Sequence, residues 1–136
     1  MRVVGVTEFG GPEALSVCEV PDPHAGPGEV RIRVRAATVN PTDTFHVTGA
    51  RAEVLRVDPP PYVPGMDAAG TVDEVGEGVD GLRVGDDVMA IVVPHGTHGA
   101  YSELLVVPAG SHVAPIEQPE LVGARIKAFV ERVSAS

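Results

Sequence analysis

Glycine and proline interrupt this chain so regularly that only short elements fit between them before residue 116. The sixteen glycines and thirteen prolines are spread along the sequence rather than gathered in one tract. That spacing marks them as turn punctuation and not as a disordered segment. The runs between them are rich in valine, and β-branched residues favour pleated strands. Met1–Phe9 and Leu15–Val20 read as strands, and Gly26-Pro27-Gly28-Glu29 as a turn. After it Val30, Ile32, Val34 and Ala36 alternate with Arg31, Arg33 and Arg35. That period of two predicts a half-buried strand with a basic outer face. Further strands are expected from Ala68, over Val88–Val93, over Ala100–Val107 and over Val113–Ile116. Between Asn40 and Pro64 the chain is irregular, with room for a short helix over residues 42–50. The triplet Pro59-Pro60-Pro61 cannot be helical, because each ring removes a donor and restricts its predecessor.

The segment beyond Pro119 differs in kind. Val122, Ile126, Phe129, Val130 and Val133 share one helical face, the pattern of an amphipathic helix. The whole pattern predicts a mainly β, partly open barrel over residues 1–116 with a short internal helix, then a C-terminal amphipathic helix over 117–136.

A chain of 136 residues is about one domain. Its formal charge of −9 comes with no Lys/Arg cluster, so phosphate backbones and anionic membrane surfaces are repelled. The sequence holds no long apolar span or signal-peptide core, and cytoplasm is the expected compartment. The single cysteine, Cys18, makes neither an internal disulfide nor a cysteine zinc site.

Gly76-Glu77-Gly78-Val79-Asp80-Gly81 matches the G-x-G-x-x-G of dinucleotide sites. A true fingerprint opens a helix whose N-terminus faces a pyrophosphate. Here Leu82-Arg83-Val84-Gly85-Asp86 follows, a turn leading into a strand, and Glu77 and Asp80 add negative charge. The glycines are therefore expected to make tight strand connections. His95-x-x-His98 has no third ligand at a fixed spacing and reads as solvated loop. His46 reads as a surface histidine, and Tyr101 as a strand residue packing on the barrel.

Five stretches, in order, carry a resemblance. They are Gly26-Pro27-Gly28-Glu29-Val30, Ala37-Thr38-Val39-Asn40-Pro41-Thr42-Asp43, and Pro64-Gly65-Met66-Asp67-Ala68-Ala69-Gly70-Thr71-Val72. Val75-Gly76-Glu77-Gly78-Val79 with Gly85-Asp86-Asp87-Val88, and then Gly99-Ala100-Tyr101-Ser102-Glu103, complete the set. Together they resemble the N-terminal, GroES-like domain of the zinc-free quinone oxidoreductase branch of the medium-chain dehydrogenases. The resemblance implies a GroES-like barrel over residues 1–116. It also implies hydride transfer from NADPH, held on a Rossmann domain, to a small hydrophobic quinone or enone. Such a reaction needs closeness of the reacting carbons and a dry slot.

Zinc-dependent relatives carry a His-Glu pair where this chain has Met66-Asp67. A thioether and one carboxylate do not make a catalytic zinc set, so no metal is expected. By resemblance, the substrate side is lined by Asn40, Asp43, Phe45 and Met66. The Asn lies by the nicotinamide and its ribose, and the Asp holds the loop. From the residues alone, Asn40 also reads as a turn cap and Asp43 as a helix N-cap. Three positions depart from the family. Phe45 stands where a Tyr is common, Val47 where an Arg is common, and Arg51 near a second common Tyr. A different acceptor from a quinone is compatible with those departures.

Only 20 residues follow Ile116, too few for the βαβ units of a nucleotide domain, each about 30 residues. This chain is therefore expected to bind no NADPH and to have no independent redox activity. Three explanations stay open: a natural or engineered truncation of an enzyme, a free-standing small-molecule-binding module or cofactor-independent enzyme using the same slot, or a partner chain that supplies the nucleotide domain. The barrel side that a nucleotide domain would cover is expected to be apolar. The C-terminal helix either folds back on it or reaches a second copy, and the homodimer is the favoured outcome.

Overall fold

The computed structural model describes residues 1–50, 52, 60–110 and 113–115. Seven strands are present among them: β1 (Arg2–Gly5), β2 (Ser16–Glu19), β3 (Glu29–Ala37), β4 (Asp67–Val75), β5 (Asp87–Ile91), β6 (Leu104–Pro108) and β7 (Val113–Pro115). A short 3₁₀ turn covers Pro12–Ala14, and the helix α1 covers Pro41–Thr48. β1 and β2 form a hairpin sheet, and the other five strands pair antiparallel in the order β6-β3-β4-β5-β7. The architecture is mainly β, and the described strands do not close into a barrel. The expected C-terminal helix, and the boundary between residues 116 and 117, lie outside the described residues.

The period-two pattern of β3 does what it predicts on one face. Val30 and Ile32 are fully buried, joined by Ala68 and Val72 of β4, Val88 and Ala90 of β5, and Leu105 and Val107 of β6. Each buried Val, Ile or Leu contributes about 1.5–3 kcal/mol relative to exposure, so this layer dominates stability. The other face carries the arginines as expected, with Arg33 and Arg35 exposed and Arg31 half-buried, but acidic neighbours offset part of its charge. A β-bulge drops Asp73 out of register opposite β3. Its carboxylate accepts Arg31 Nε at 2.8 Å and an Arg33 guanidinium N–H at 2.8 Å. Arg31 also meets Glu74 at 2.8 Å. The bulge re-aims one acidic side chain between two arginines.

Two expected strands are shorter than their hydrophobic runs. The Met1–Phe9 run pairs only over Arg2–Gly5, after which Val6 turns to a single bridge with Tyr62. The Ala100–Val107 run divides. Ala100 and Tyr101 donate their N–H groups to Gly65 and Pro64 at 3.0 and 3.1 Å, and only Leu104 onwards joins the large sheet. Residues 99–103 instead seam the two sheets: Val4 N–H meets the Tyr101 carbonyl at 2.8 Å and Val34 N–H the Glu103 carbonyl at 3.0 Å.

The G-x-G-x-x-G stretch is a strand connection, as expected. Gly78 and Gly81 have φ of 78° and 83°, and no helix follows before β5. Gly76 is required for another reason. A Cβ there would lie 1.8 Å from the Gly26 carbonyl oxygen, so only glycine lets the two backbones meet.

Candidate functional site

The site is built where α1 begins. Asn40 is the N-cap residue, with φ −115° and ψ 152°, Pro41 is the first helical residue, and Asp43 is the third. Pro at this place has no donor to lose. The Asp43 carboxylate, 4% exposed, takes the Asn40 N–H at 2.7 Å and the Tyr101 O–H at 3.1 Å on Oδ2. Its Oδ1 takes the Gly65 N–H at 3.0 Å. A carboxylate removed from water without partners costs several kcal/mol, and these three donors offset that cost. The Tyr101 phenol has its pKa pushed up to about 12 by burial, with the Asp43 charge and hydrogen bond adding to it. At neutral pH it therefore remains a protonated donor. One buried carboxylate thus joins the α1 start, the Pro64–Gly65 segment and the 99–103 segment.

A second cluster lies next to it. Asn40 Nδ2 donates to Thr38 Oγ1 at 2.8 Å and to Asp67 Oδ2 at 2.9 Å. Thr38 Oγ1 donates to the same Asp67 Oδ2 at 2.9 Å. The two motif loops, 37–43 and 64–72, are therefore cross-bonded at Asn40–Asp67. Met66, between Gly65 and Asp67, is half-buried, and its carbonyl takes the Val92 N–H at 2.7 Å. Phe45 sits on the outward side of α1, 45% exposed, and Val39 is 83% exposed. Of the residues expected at the site, Asn40 and Asp43 are in direct contact, and Met66 lies in the segment they grip. Phe45 is on the same helix but on its outer side.

Three further residues belong to this corner: Thr38, Asp67 and Tyr101. Thr38 and Asp67 stand inside the quoted motifs, and their bonds depend on how two loops meet. Tyr101 is more than a packing residue, since its hydroxyl reaches Asp43. The surface reading of His46 is corrected: it is buried, at 7% exposure. Asp43, His46 and Val47 occupy the inward face of α1, the i, i+3, i+4 spacing of one helix side.

His95 and His98 form a tight hairpin, with backbone bonds of 2.8 Å in both directions and rings stacked at 4.9 Å. The solvated-loop reading is corrected for His98, which is half-buried. Burial, and then the neighbouring His95, hold its pKa below the ordinary histidine value. Among the described residues no three His, Cys, Asp or Glu side chains are grouped to hold a metal ion. Nor is any described helix long and apolar enough to cross a membrane.

This antiparallel β architecture with a helix-capped loop is that of a GroES-like domain. The profile of the alcohol dehydrogenase GroES-like domain family matches residues 26–118. The chain belongs to that family, and within the medium-chain dehydrogenases to the quinone oxidoreductase branch. It is 38% identical over 107 residues to the quinone oxidoreductase of Lama guanicoe, covering 75% of this chain and 30% of that protein. Against the 2-haloacrylate reductase of a Burkholderia species it is 42% identical over 100 residues, covering 74% and 29%. It superposes on the Escherichia coli quinone oxidoreductase complexed with NADPH with a TM-score of 0.69 at 27% identity, covering 85% of this chain and 33% of that one. The chain spans about 30% of the length of the curated relatives it matches.

Proposed function

We propose that the Asn40–Asp67 corner binds a small, electron-poor conjugated compound, a quinone or an enone, and orients it for reduction. The cross-bonding of the two motif loops through Asn40 and Asp67 carries this reading. It fixes a half-exposed amide in place, so little ordering is needed on binding. The relatives add chemical support. A quinone and a haloacrylate both contain an alkene conjugated to an electron-withdrawing group, and the names of two relatives carry these words.

In the family, NADPH supplies the hydride. Gly76–Gly81 is not proposed as the site of its pyrophosphate. That stretch closes a strand connection, with Gly76 against the Gly26 carbonyl, and presents no helix N-terminus. The nucleotide is therefore assigned to a Rossmann domain and not to these residues, and no redox step is derived for them. Their proposed part is to hold the acceptor. The slot is proposed to be metal-free, because Met66 replaces a ligand and the Asp67 carboxylate already serves Thr38 and Asn40. We further propose a cytoplasmic protein that self-associates through its C-terminal segment.

The reading is tested by titrating the protein with duroquinone. Its ring is fully methylated and leaves the Cys18 thiol no open position to add to. Asn40→Ala removes the cross-bond to Asp67 that shapes the slot, and should weaken binding up to about tenfold. Unchanged affinity in a folded variant would contradict it.

A further inference from the structure

We propose that Tyr101 is a positioning residue of this slot: its hydroxyl, acting through Asp43, fixes how the Asn40 loop sits on the Gly65–Asp67 segment. The inference rests on the proposed slot at Asn40–Asp67. Tyr101 itself touches no ligand.

Tyr101 is pinned from several sides before its side chain acts. Its N–H donates to the Pro64 carbonyl at 3.1 Å, and its own carbonyl takes the Val4 N–H of β1 at 2.8 Å. Its ring lies flush against Gly65, where a Cβ would be 2.7 Å from the Tyr101 Cδ1. The phenol is thus delivered from a segment bonded to β1 and to Pro64, not from the Asn40 loop. At its tip the O–H reaches Asp43 Oδ2, the same oxygen that takes the Asn40 N–H. The other oxygen takes the Gly65 N–H.

The carboxylate is therefore a three-way joint. Two of its donors are backbone groups of the loops that carry the slot, Asn40 on one side and Gly65 on the other. Tyr101 supplies the third donor, from the segment bonded to β1. Without its O–H, the buried Asp43 loses one of three donors and must be resolvated or must shift. Either response changes the Asn40–Asp67 spacing, because Asn40 is bonded to Asp43 through its N–H and to Asp67 through its side chain.

Tyr101→Phe tests this, since it keeps the ring against Gly65 and deletes only the hydroxyl. The readouts are the ¹⁵N–¹H signals of the Asn40 side chain and the Gly65 amide, the duroquinone dissociation constant, and the melting temperature. The expected result is a folded variant with displaced Asn40 and Gly65 signals, faster Gly65 amide exchange and affinity about three- to tenfold weaker. A variant with both signals unmoved, or with wild-type affinity, overturns the proposal. Should Tyr101→Phe fail to fold, Asp43→Asn is read the same way. It keeps the shape and leaves one acceptor oxygen for three donors, so the Asn40 and Gly65 signals must move for the joint to stand. Absence of duroquinone binding in the wild type overturns the slot instead, while the two signals still decide the joint.

Discussion

Asn40 has two roles that one substitution can separate. Its side chain donates to both Thr38 and Asp67, so Asn40→Ala should cost about 1–2 kcal/mol of stability as well as ligand affinity. A calorimetric melting temperature lower by a few degrees, together with weakened binding, is the expected pair. A lower melting temperature with unaltered binding would leave Asn40 a cap and nothing more. Gly76 offers a sharper case. Gly76→Ala places a methyl group 1.8 Å from the Gly26 carbonyl oxygen, and neither backbone can yield easily. The expected loss is about 2 kcal/mol or more, read by urea denaturation; a midpoint equal to wild type would show that the connection relaxes. Residue-level legibility was uneven. Asn40 and Asp43 stand out because their motif is short and ordered. The helix spacing of Asp43, His46 and Val47 was also legible, yet His46 judged alone reads as surface. The pairing of Asn40 with Asp67 could not be read, because no local rule sets how two distant loops meet.

At the scale of elements, strand existence followed the valine runs, whereas strand ends followed tertiary pairing. Residues 100–103 look like strand by pattern, but their N–H groups are claimed by Pro64, Gly65 and β1. The offset of charge on the basic face of β3 was not legible for the same reason, since Asp73 and Glu74 come from a neighbouring strand. Gly76–Gly81 could be judged correctly because the residues after it are local. The 95–98 hairpin carries a pH prediction. The His98 pKa is lower in the folded protein than in the unfolded chain. As pH falls below the ordinary histidine range the unfolded chain takes up the proton first, so stability is full above about 6.5 and declines as pH drops toward the folded pKa. Melting temperatures recorded between pH 7.5 and 5 should decline, and His98→Gln should flatten that decline. An identical slope in the variant would assign the effect to other groups.

Across the whole molecule, one exposed apolar row stands out among the described residues. Met89, Ile91 and Val93 alternate along and just beyond β5 with 48, 59 and 71% of their surface exposed. Apolar side chains in such a row favour association. The amphipathic pattern of residues 122–133 supplies a matching apolar stripe. The intact chain is expected to scatter light as a dimer, and a version ending at Ile116 to change its mass or lose stability. A monodisperse monomer of equal stability in both cases would contradict the proposed self-association.

The most direct test of the ligand slot is a wild-type map of duroquinone binding, followed amide by amide. The account predicts saturable shifts centred on residues 38–45 and 64–67, with the Asn40 side-chain amide among the largest. A groove of about 240 Å³ along β1, lined by Arg2, Val4, Val17 and Glu103 among others, provides the contrast. Shifts centred there, or no saturable shifts at all, would contradict the assignment of the slot to Asn40 and Asp67.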